Sequence, residues 1–265
     1  MIADERRQQL GEQGFLIVPG VLDAAEVLRL RQVLERAFDE EQPAASDTKV
    51  VRMDVLSRYP ETRIVLEKQL LLDTLRFLVG EHLYLLDTVG HDSGFPSWHK
   101  DTTTLEAAGH LFHREEDFRM VQVGLYLQPN GPYGGGLDVI PGSHREKHDR
   151  FLHQPRTRVG HSFRYRVLEP IRDRKVTRIA NQAGDAVIFD MRLSHRATPG
   201  LLRERPGSTP EQRKLALFFL CAGSERHARA YRAFCEQRDE YEFLGEHQYP
   251  LEVQEIARSR SLTLI

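Results

Sequence analysis

Residues 119–143 read RMVQVGLYLQPNGPYGGGLDVIPGS, and this segment is the clearest indication of the class of fold. It holds two short apolar runs, RMVQVGLYLQ and LDVIPGS, separated by Pro, Asn and Gly, a pattern typical of neighbouring strands. The same texture extends in both directions, in HLYLLDTV (82–89), VTRIA (176–180), DAVIFD (185–190) and KLALFFLCA (214–222). It predicts a β-sandwich or barrel rather than an alternation of strands and helices.

Helical patterns flank this predicted core. Residues 12–38 indicate a short strand, a Pro-Gly turn and an amphipathic helix, with Asp23 and Glu26 spaced as a capping box. A second amphipathic helix is predicted in 61–79, ended by Gly80. We therefore predict a mainly β protein with flanking helices. As a single domain over 1–265, it divides into a helical flank of about 1–80, a core of about 82–223 and a helical tail, 224–265.

The overall composition excludes several classes of protein. The 265 residues are 40% hydrophobic, and 37 Lys and Arg against 39 Asp and Glu give a net charge of −2. This balance argues against a nucleic-acid or membrane partner. The start of the chain lacks the apolar core of a signal peptide, and two cysteines are too few for a disulfide framework. These features predict a cytoplasmic protein. Nucleotide and hydrolase motifs are absent from the sequence.

Candidate metal ligands lie in two separate segments. In the stretch SWHKD (97–101), His99 and Asp101 would point to the same side of a strand. A buried carboxylate beside an imidazole is costly unless something pairs with it, as a divalent metal would. His195 follows another apolar strand, 94 residues after Asp101. Two histidines and one carboxylate form the ligand set of non-haem Fe(II) oxygenases.

The chain resembles the phytanoyl-CoA dioxygenase family of Fe(II)- and 2-oxoglutarate-dependent oxygenases. The segments that carry the resemblance occur in the family's order: GFLIVPGVLD, WHKD, GGGLDVIPGSHR, GDAVIFDMRLSHRATPG and RKLALFFLCA. The resemblance implies a double-stranded β-helix, or jelly-roll, of the cupin-like kind. It also implies Fe(II) bound by His99, Asp101 and His195, with 2-oxoglutarate as cosubstrate. An aspartate at position 101 argues against a halogenase, because those enzymes have Gly or Ala there.

The residues expected to bind the cosubstrate depart from the family's usual spacing, whereas the candidate metal ligands do not. The family's arginine usually follows the second histidine by about ten residues, where this chain has Arg205. We instead predict that Arg213 binds the distal carboxylate of 2-oxoglutarate, because it abuts the strand KLALFFL. Many members also have Ser two residues after that histidine, where this chain has Ala197. Thr198 is a candidate replacement, and Gln122 is a further candidate for cosubstrate binding.

These features predict a dioxygenase that hydroxylates a small molecule and releases succinate and CO₂. Two alternatives stay open. One is a cupin-like metal enzyme that does not use 2-oxoglutarate, and the other is a non-catalytic jelly-roll binding protein. Succinate formation separates the first alternative from the prediction.

Three further segments have two interpretations each. Residues 102–118 are predicted to form a mobile lid over the metal, and the alternative is a static helical excursion packed on the core. His110 and His113 are either a second metal site or, as we favour, partly solvated residues of that segment. Residues 145–178 carry eleven Lys and Arg against four Asp and Glu. This excess indicates either a solvated loop, which we favour, or a docking surface for an anionic substrate.

Overall fold

The computed structural model describes residues 2–92, 97–131, 134–146, 175–199, 213–239, 241, 244 and 247–265. Arg205 and most of the basic segment 145–178 lie outside the described residues. In the part of the chain that is described, no helix is long and apolar enough to cross a membrane.

The helices of the described residues lie mainly at the two ends of the chain. They are α1 (Ile2–Gln13), α2 (Ala24–Asp39), α3 (Val55–Arg58), α4 (Gln69–Val79), α5 (Thr102–Ala107), α6 (Glu225–Cys235) and α7 (Leu251–Ser259). Short 3₁₀ helices occupy Pro60–Glu67, Phe112–Arg114 and Ser143–Arg145.

The strands of the described residues form two sheets. They are β1 (Phe15–Val18), β2 (Val51–Met53), β3 (Leu83–Asp92), β4 (Met120–Tyr126), β5 (Leu137–Val139), β6 (Thr177–Arg178), β7 (Ala186–Asp190), β8 (His195–Ala197), β9 (Leu215–Ala222) and β10 (Leu262–Leu264). The larger sheet has the order β1-β7-β4-β9-β3-β10, and β2 also pairs with β3. The smaller sheet has the order β6-β5-β8. All pairings are antiparallel except that of β10 with β3.

The two faces of the larger sheet have different partners. On the outer face, Leu215 and Leu217 of β9 pack in a large apolar cluster with α2 and α4. On the inner face, Tyr126, Phe189 and Ala216 pack with residues of the smaller sheet. Both faces are therefore buried, and alternate residues of each central strand point either to the helices or to the space between the sheets.

Local sequence signals for the N-terminal helices are confirmed. Asp23 accepts a hydrogen bond from the Glu26 amide, and the Glu26 carboxylate accepts one from the Asp23 amide. This is the predicted capping box, and it fixes the start of α2. The predicted helix over 61–79 is divided into a 3₁₀ helix and α4, and α4 ends at Gly80 as expected.

The flanking segments contribute strands as well as helices. β1 and β2 come from the predicted N-terminal flank, and β10 comes from the predicted C-terminal tail. Through β1 and β10, these segments supply both ends of the principal strand order. The larger sheet therefore depends on residues outside 82–223.

Gly223, which follows β9, provides a test of this packing. A Cβ atom added there would lie 1.8 Å from the carbonyl oxygen of Val79, which belongs to rigid backbone at the end of α4. We expect Gly223→Ala to lower the free energy of unfolding by about 1–3 kcal/mol, as overpacking does. The measurement is urea unfolding.

Gly11 is the matched control. It lies inside α1, and a Cβ atom there would have nothing within 4 Å. Because glycine costs about 0.5–1 kcal/mol in a helix relative to alanine, Gly11→Ala should raise the free energy of unfolding. Equal effects of the two substitutions would contradict the close approach of Gly223 to the Val79 carbonyl.

Candidate active site

The two candidate histidine ligands are joined through their backbones. The His99 amide donates to the His195 carbonyl at 3.0 Å, and the His195 amide donates to the His99 carbonyl at 2.9 Å. This reciprocal pair extends the edge of the smaller sheet beyond β8. It places the two imidazole rings side by side, with 4.2 Å between their centroids.

Asp101 reaches the same place by a different route from the one expected. The expectation that His99 and Asp101 share one face of a strand is wrong. His99 lies in an isolated bridge, and Asp101 has helical backbone angles (φ −61°, ψ −27°) at the start of α5. The chain therefore turns after His99, and this turn brings the carboxylate back towards both imidazoles.

Both imidazole rings are oriented by backbone carbonyls. His99 Nδ1 lies 2.9 Å from the Ser97 oxygen, and His195 Nδ1 lies 3.0 Å from the Leu193 oxygen. A carbonyl can only accept, so each Nδ1 carries the proton and each Nε2 presents its lone pair. This arrangement fixes the tautomer in which Nε2 can bind a metal.

The three donor atoms are close enough to share one metal ion. Asp101 Oδ1 lies 3.8 Å from His99 Nε2 and 3.6 Å from His195 Nε2. Metal–ligand bonds of about 2.1 Å allow two donors on one ion to lie up to about 4.2 Å apart. The residues therefore fit a divalent ion. Three protein ligands on one side leave the remaining positions of an octahedron for other molecules.

The electrostatics of the two histidines suit metal binding. Burial lowers the pKa of His99, against the effect of its bond to the Ser97 carbonyl. Burial and the neighbouring His99 place the pKa of His195 well below its usual value. Both imidazoles are therefore neutral at pH 7, which is the form that binds a metal.

Ser143 links the two segments that carry the candidate ligands. Lys100, between His99 and Asp101, donates from Nζ to the Ser143 carbonyl at 2.8 Å. The Ser194 amide, just before His195, donates to Ser143 Oγ at 2.9 Å. Sequence reasoning missed this role, although Ser143 lies inside the motif GGGLDVIPGSHR. The turn after β5 therefore positions both histidines without itself supplying a ligand.

The structure places Arg213 on the helix-facing side of β9. Its guanidinium forms hydrogen bonds to both carboxylate oxygens of Asp39 (2.6 and 2.9 Å) and to Asp92 (3.1 Å from Nε). Burial opposes the charge, but the two carboxylates outweigh it and raise the pKa of the guanidinium. The predicted carboxylate clamp is thus paired with two carboxylates of the protein itself.

The other two predicted cosubstrate contacts lie between the sheets or at their end. The Thr198 hydroxyl donates to Asp138 Oδ1 at 2.9 Å and accepts from Asn130 Nδ2 at 3.0 Å. Gln122 is half-buried on β4, in register with Phe189, whose ring centroid lies 4.8 Å from that of His195. The side chain of Gln122 thus starts from the inner face of the sheet.

A second group of potential ligands, absent from the sequence prediction, lies outside this site. Glu115, Asp117 and His227 also bring donor atoms together. Arg226 forms salt bridges to both carboxylates, so one of their two negative charges is already compensated. A metal ion would have to compete with Arg226 for these carboxylates.

Among the described residues, His110 and His113 of the segment 102–118 do not form a second metal site. His113 Nε2 lies 2.9 Å from Glu106 Oε1, whereas the His110 ring packs on Phe234. Leu105 of the same segment is fully buried in an apolar cluster with Phe118 and Tyr231. This packing favours the helical excursion over the lid.

Family comparison gives the site its context. The family model for phytanoyl-CoA dioxygenase (PhyH) matches residues 10–201, which include His99, Asp101 and His195. The chain belongs to this family of Fe(II)- and 2-oxoglutarate-dependent oxygenases. The predicted enzyme class, a dioxygenase, is confirmed. The ectoine dioxygenase of Stutzerimonas stutzeri (strain A1501) is 23% identical over 93% of this chain and 85% of its own length.

Solved structures confirm the predicted jelly-roll core. EctD from S. alaskensis, described with 2-oxoglutarate and 5-hydroxyectoine, has a TM-score of 0.59 and 18% identity over 82% of this chain and 75% of its own. The epimerase SnoN, described in complex with Fe³⁺, alpha ketoglutarate and nogalamycin RO, has a TM-score of 0.56 and 17% identity. That match covers 83% of each chain. These matches show that the chain shares the fold of both structures.

Metal binding can be measured directly. We expect the protein to bind one Fe(II) per chain under anaerobic conditions. His195→Ala should reduce the affinity for Fe(II) by a hundredfold or more, because it removes one of the three protein ligands. Calorimetric titration gives both the stoichiometry and the affinity.

Asp117→Asn is the control, since it removes a carboxylate from the second group without touching the first. Its affinity for Fe(II) should match that of the wild type. A larger loss of Fe(II) affinity in Asp117→Asn than in His195→Ala would show that the metal binds at the second group, and it would contradict the assignment to His195.

Proposed function

We propose that this dioxygenase hydroxylates a small molecule at an Fe(II) ion held by His99, Asp101 and His195. It would use 2-oxoglutarate and dioxygen, and release succinate and CO₂. The observation that supports this most directly is the convergence of two oriented imidazoles and one carboxylate within bonding reach of a single ion. When bound, the iron would supply the redox chemistry that activates dioxygen.

The chain's own residues would hold the geometry and limit access of water. The backbone pair between His99 and His195 fixes the spacing of the two nitrogen ligands. Phe189 packs against the His195 ring, and with Leu193 it makes that side of the site apolar. The Asp101 side chain is a quarter exposed, so the site is not sealed from solvent. Preorganisation of this kind needs no rearrangement when the metal binds.

Asp101 also bears on the outcome of the reaction. A carboxylate at this position occupies the place that a halide would need, which supports hydroxylation over halogenation. The family relationship supports a small-molecule substrate. Ectoine is the first compound to test, because curated relatives are described as ectoine dioxygenases.

Succinate release tests the proposal. With Fe(II), 2-oxoglutarate and a panel of small molecules that begins with ectoine, we expect succinate to form together with a product that has gained one oxygen atom. His99→Ala should reduce succinate release to background while the thermal unfolding midpoint stays close to that of the wild type, because the side chain is partly exposed.

The same assay separates the alternatives. Oxygen uptake that proceeds equally well without 2-oxoglutarate would indicate a cupin-like enzyme of another kind. Full succinate release by His99→Ala would contradict the ligand assignment. Asp117→Asn serves again as the control with unchanged activity.

A further inference from the structure

The two faces of β9 separate Arg213 from its neighbour Lys214. Leu215 and Leu217 belong to the helix-facing cluster, and Arg213 continues that face to reach Asp39 of α2. Ala216, by contrast, belongs to the cluster between the sheets. Because side chains alternate along an extended chain, Lys214 starts on the inner face. The inward cation at this end of β9 is therefore a lysine.

The ammonium group of Lys214 has capacity for a ligand. It donates one hydrogen bond, to the Gly136 carbonyl at 2.9 Å. A lysine ammonium has three donors, and among the described residues no carboxylate forms an ion pair with it. The neighbouring Asp138 is already bonded to Thr198 and Arg196. An anion that entered this space would meet a charge that no described carboxylate contacts directly.

Tyr126 supplies an independent observation in the same space. Its side chain is fully buried between the sheets, and its hydroxyl has no hydrogen-bond partner among the described residues. Tyr126 pairs in register with Ala216, so Lys214 is its diagonal neighbour on the same face. An unsatisfied buried hydroxyl is unfavourable, and a ligand oxygen would satisfy it.

The Gly136 carbonyl connects Lys214 to the segment that carries His195. Gly136, which accepts from Lys214, also accepts from the Thr198 amide, three residues after His195. Three residues of extended chain span about 10 Å. A five-carbon diacid that chelates a metal beside His195 through its 2-oxo acid end would extend its second carboxylate along this path.

We propose that Lys214, assisted by the Tyr126 hydroxyl, binds the distal carboxylate of 2-oxoglutarate, whereas Arg213 ties β9 to α2 and β3. The inference rests on the proposed function, since it names residues of the same site. It assigns to a lysine the contact that was expected of an arginine. A lysine can lose its charge near neutral pH, whereas an arginine cannot.

The consequence is a pH dependence of cosubstrate affinity. Burial lowers the pKa of Lys214 to about 8, although the Asp138 carboxylate on β5 opposes the shift. The other groups that face this region are Tyr126 from β4 and the guanidiniums of Arg178 and Arg196, both of which pair with Asp138. The protonated lysine binds the anion, so the affinity for 2-oxoglutarate should fall as the pH rises above about 8.

Binding measurements with a matched pair of ligands test the proposal. The ligands are 2-oxoglutarate and 2-oxopentanoate, which has the same chain length but lacks the distal carboxylate. Each is titrated calorimetrically into the anaerobic Fe(II)-loaded protein. For Lys214→Met we expect 2-oxoglutarate to bind about a hundredfold more weakly, as when one partner of a buried charge pair is lost. The affinity for 2-oxopentanoate should stay unchanged.

Two conservative variants sharpen the result. Lys214→Arg should keep the preference for 2-oxoglutarate and lose the decline above pH 8, because the guanidinium stays charged. Tyr126→Phe should weaken 2-oxoglutarate binding by about tenfold, the order of one hydrogen bond to a charged group. It should not lower protein stability, because no described partner of the hydroxyl is lost.

Arg213→Met is the matched control, and it should bind 2-oxoglutarate within about threefold of the wild type while unfolding at a lower urea concentration. A larger affinity loss in Arg213→Met than in Lys214→Met would overturn the proposal and support the arginine. So would unchanged 2-oxoglutarate binding in a folded Lys214→Met protein. If the proposed function itself were wrong, the wild-type protein would bind neither 2-oxoglutarate nor 2-oxopentanoate.

Discussion

The reciprocal backbone hydrogen bonds between His99 and His195 are the constraint on which the site depends. They join a segment that follows β3 to a strand that lies almost a hundred residues further along the chain. Because both bonds are made by main-chain atoms, the imidazoles are held at a fixed spacing whatever occupies the space between them. The Nδ1 bonds to Ser97 and Leu193 then leave each ring only one nitrogen to offer to a metal. The ligand geometry is thus a consequence of strand pairing.

Ser143 shows how the rest of the fold supports this pairing. It accepts from Lys100 on one ligand segment and from the Ser194 amide on the other, so the turn after β5 braces both. The larger sheet supplies the opposite wall, and Phe189 brings its apolar surface against His195. The helices on the outer face keep that wall rigid through the large apolar cluster. A site built in this way is largely formed before any ligand arrives, at the cost of burying two imidazoles whose charged forms are disfavoured.

Much of the fold and the three candidate ligands could be predicted from the sequence, but the contacts between distant segments could not. Strand positions and the capping box at Asp23 follow from local patterns, and the family resemblance supplied the three ligand candidates. The turn that carries Asp101 was not predictable from alternation, because a single bridge and a helix start replace the strand. The partners of Arg213 come from Asp39 and Asp92, more than a hundred residues away. The sequence also does not show which face of β9 points inward. Both faces of this strand are buried, so its apolar run does not alternate with polar residues.

In the proposed site, one iron ion is bound by His99, Asp101 and His195. The decisive measurement is a crystal structure of the protein grown anaerobically with Fe(II) and 2-oxoglutarate. We expect anomalous density for iron at bonding distance from His99 Nε2, His195 Nε2 and an Asp101 carboxylate oxygen, with the 2-oxo acid end of the cosubstrate on the same ion. Iron bound instead at Glu115, Asp117 and His227, or a cosubstrate located away from the histidine pair, would contradict it.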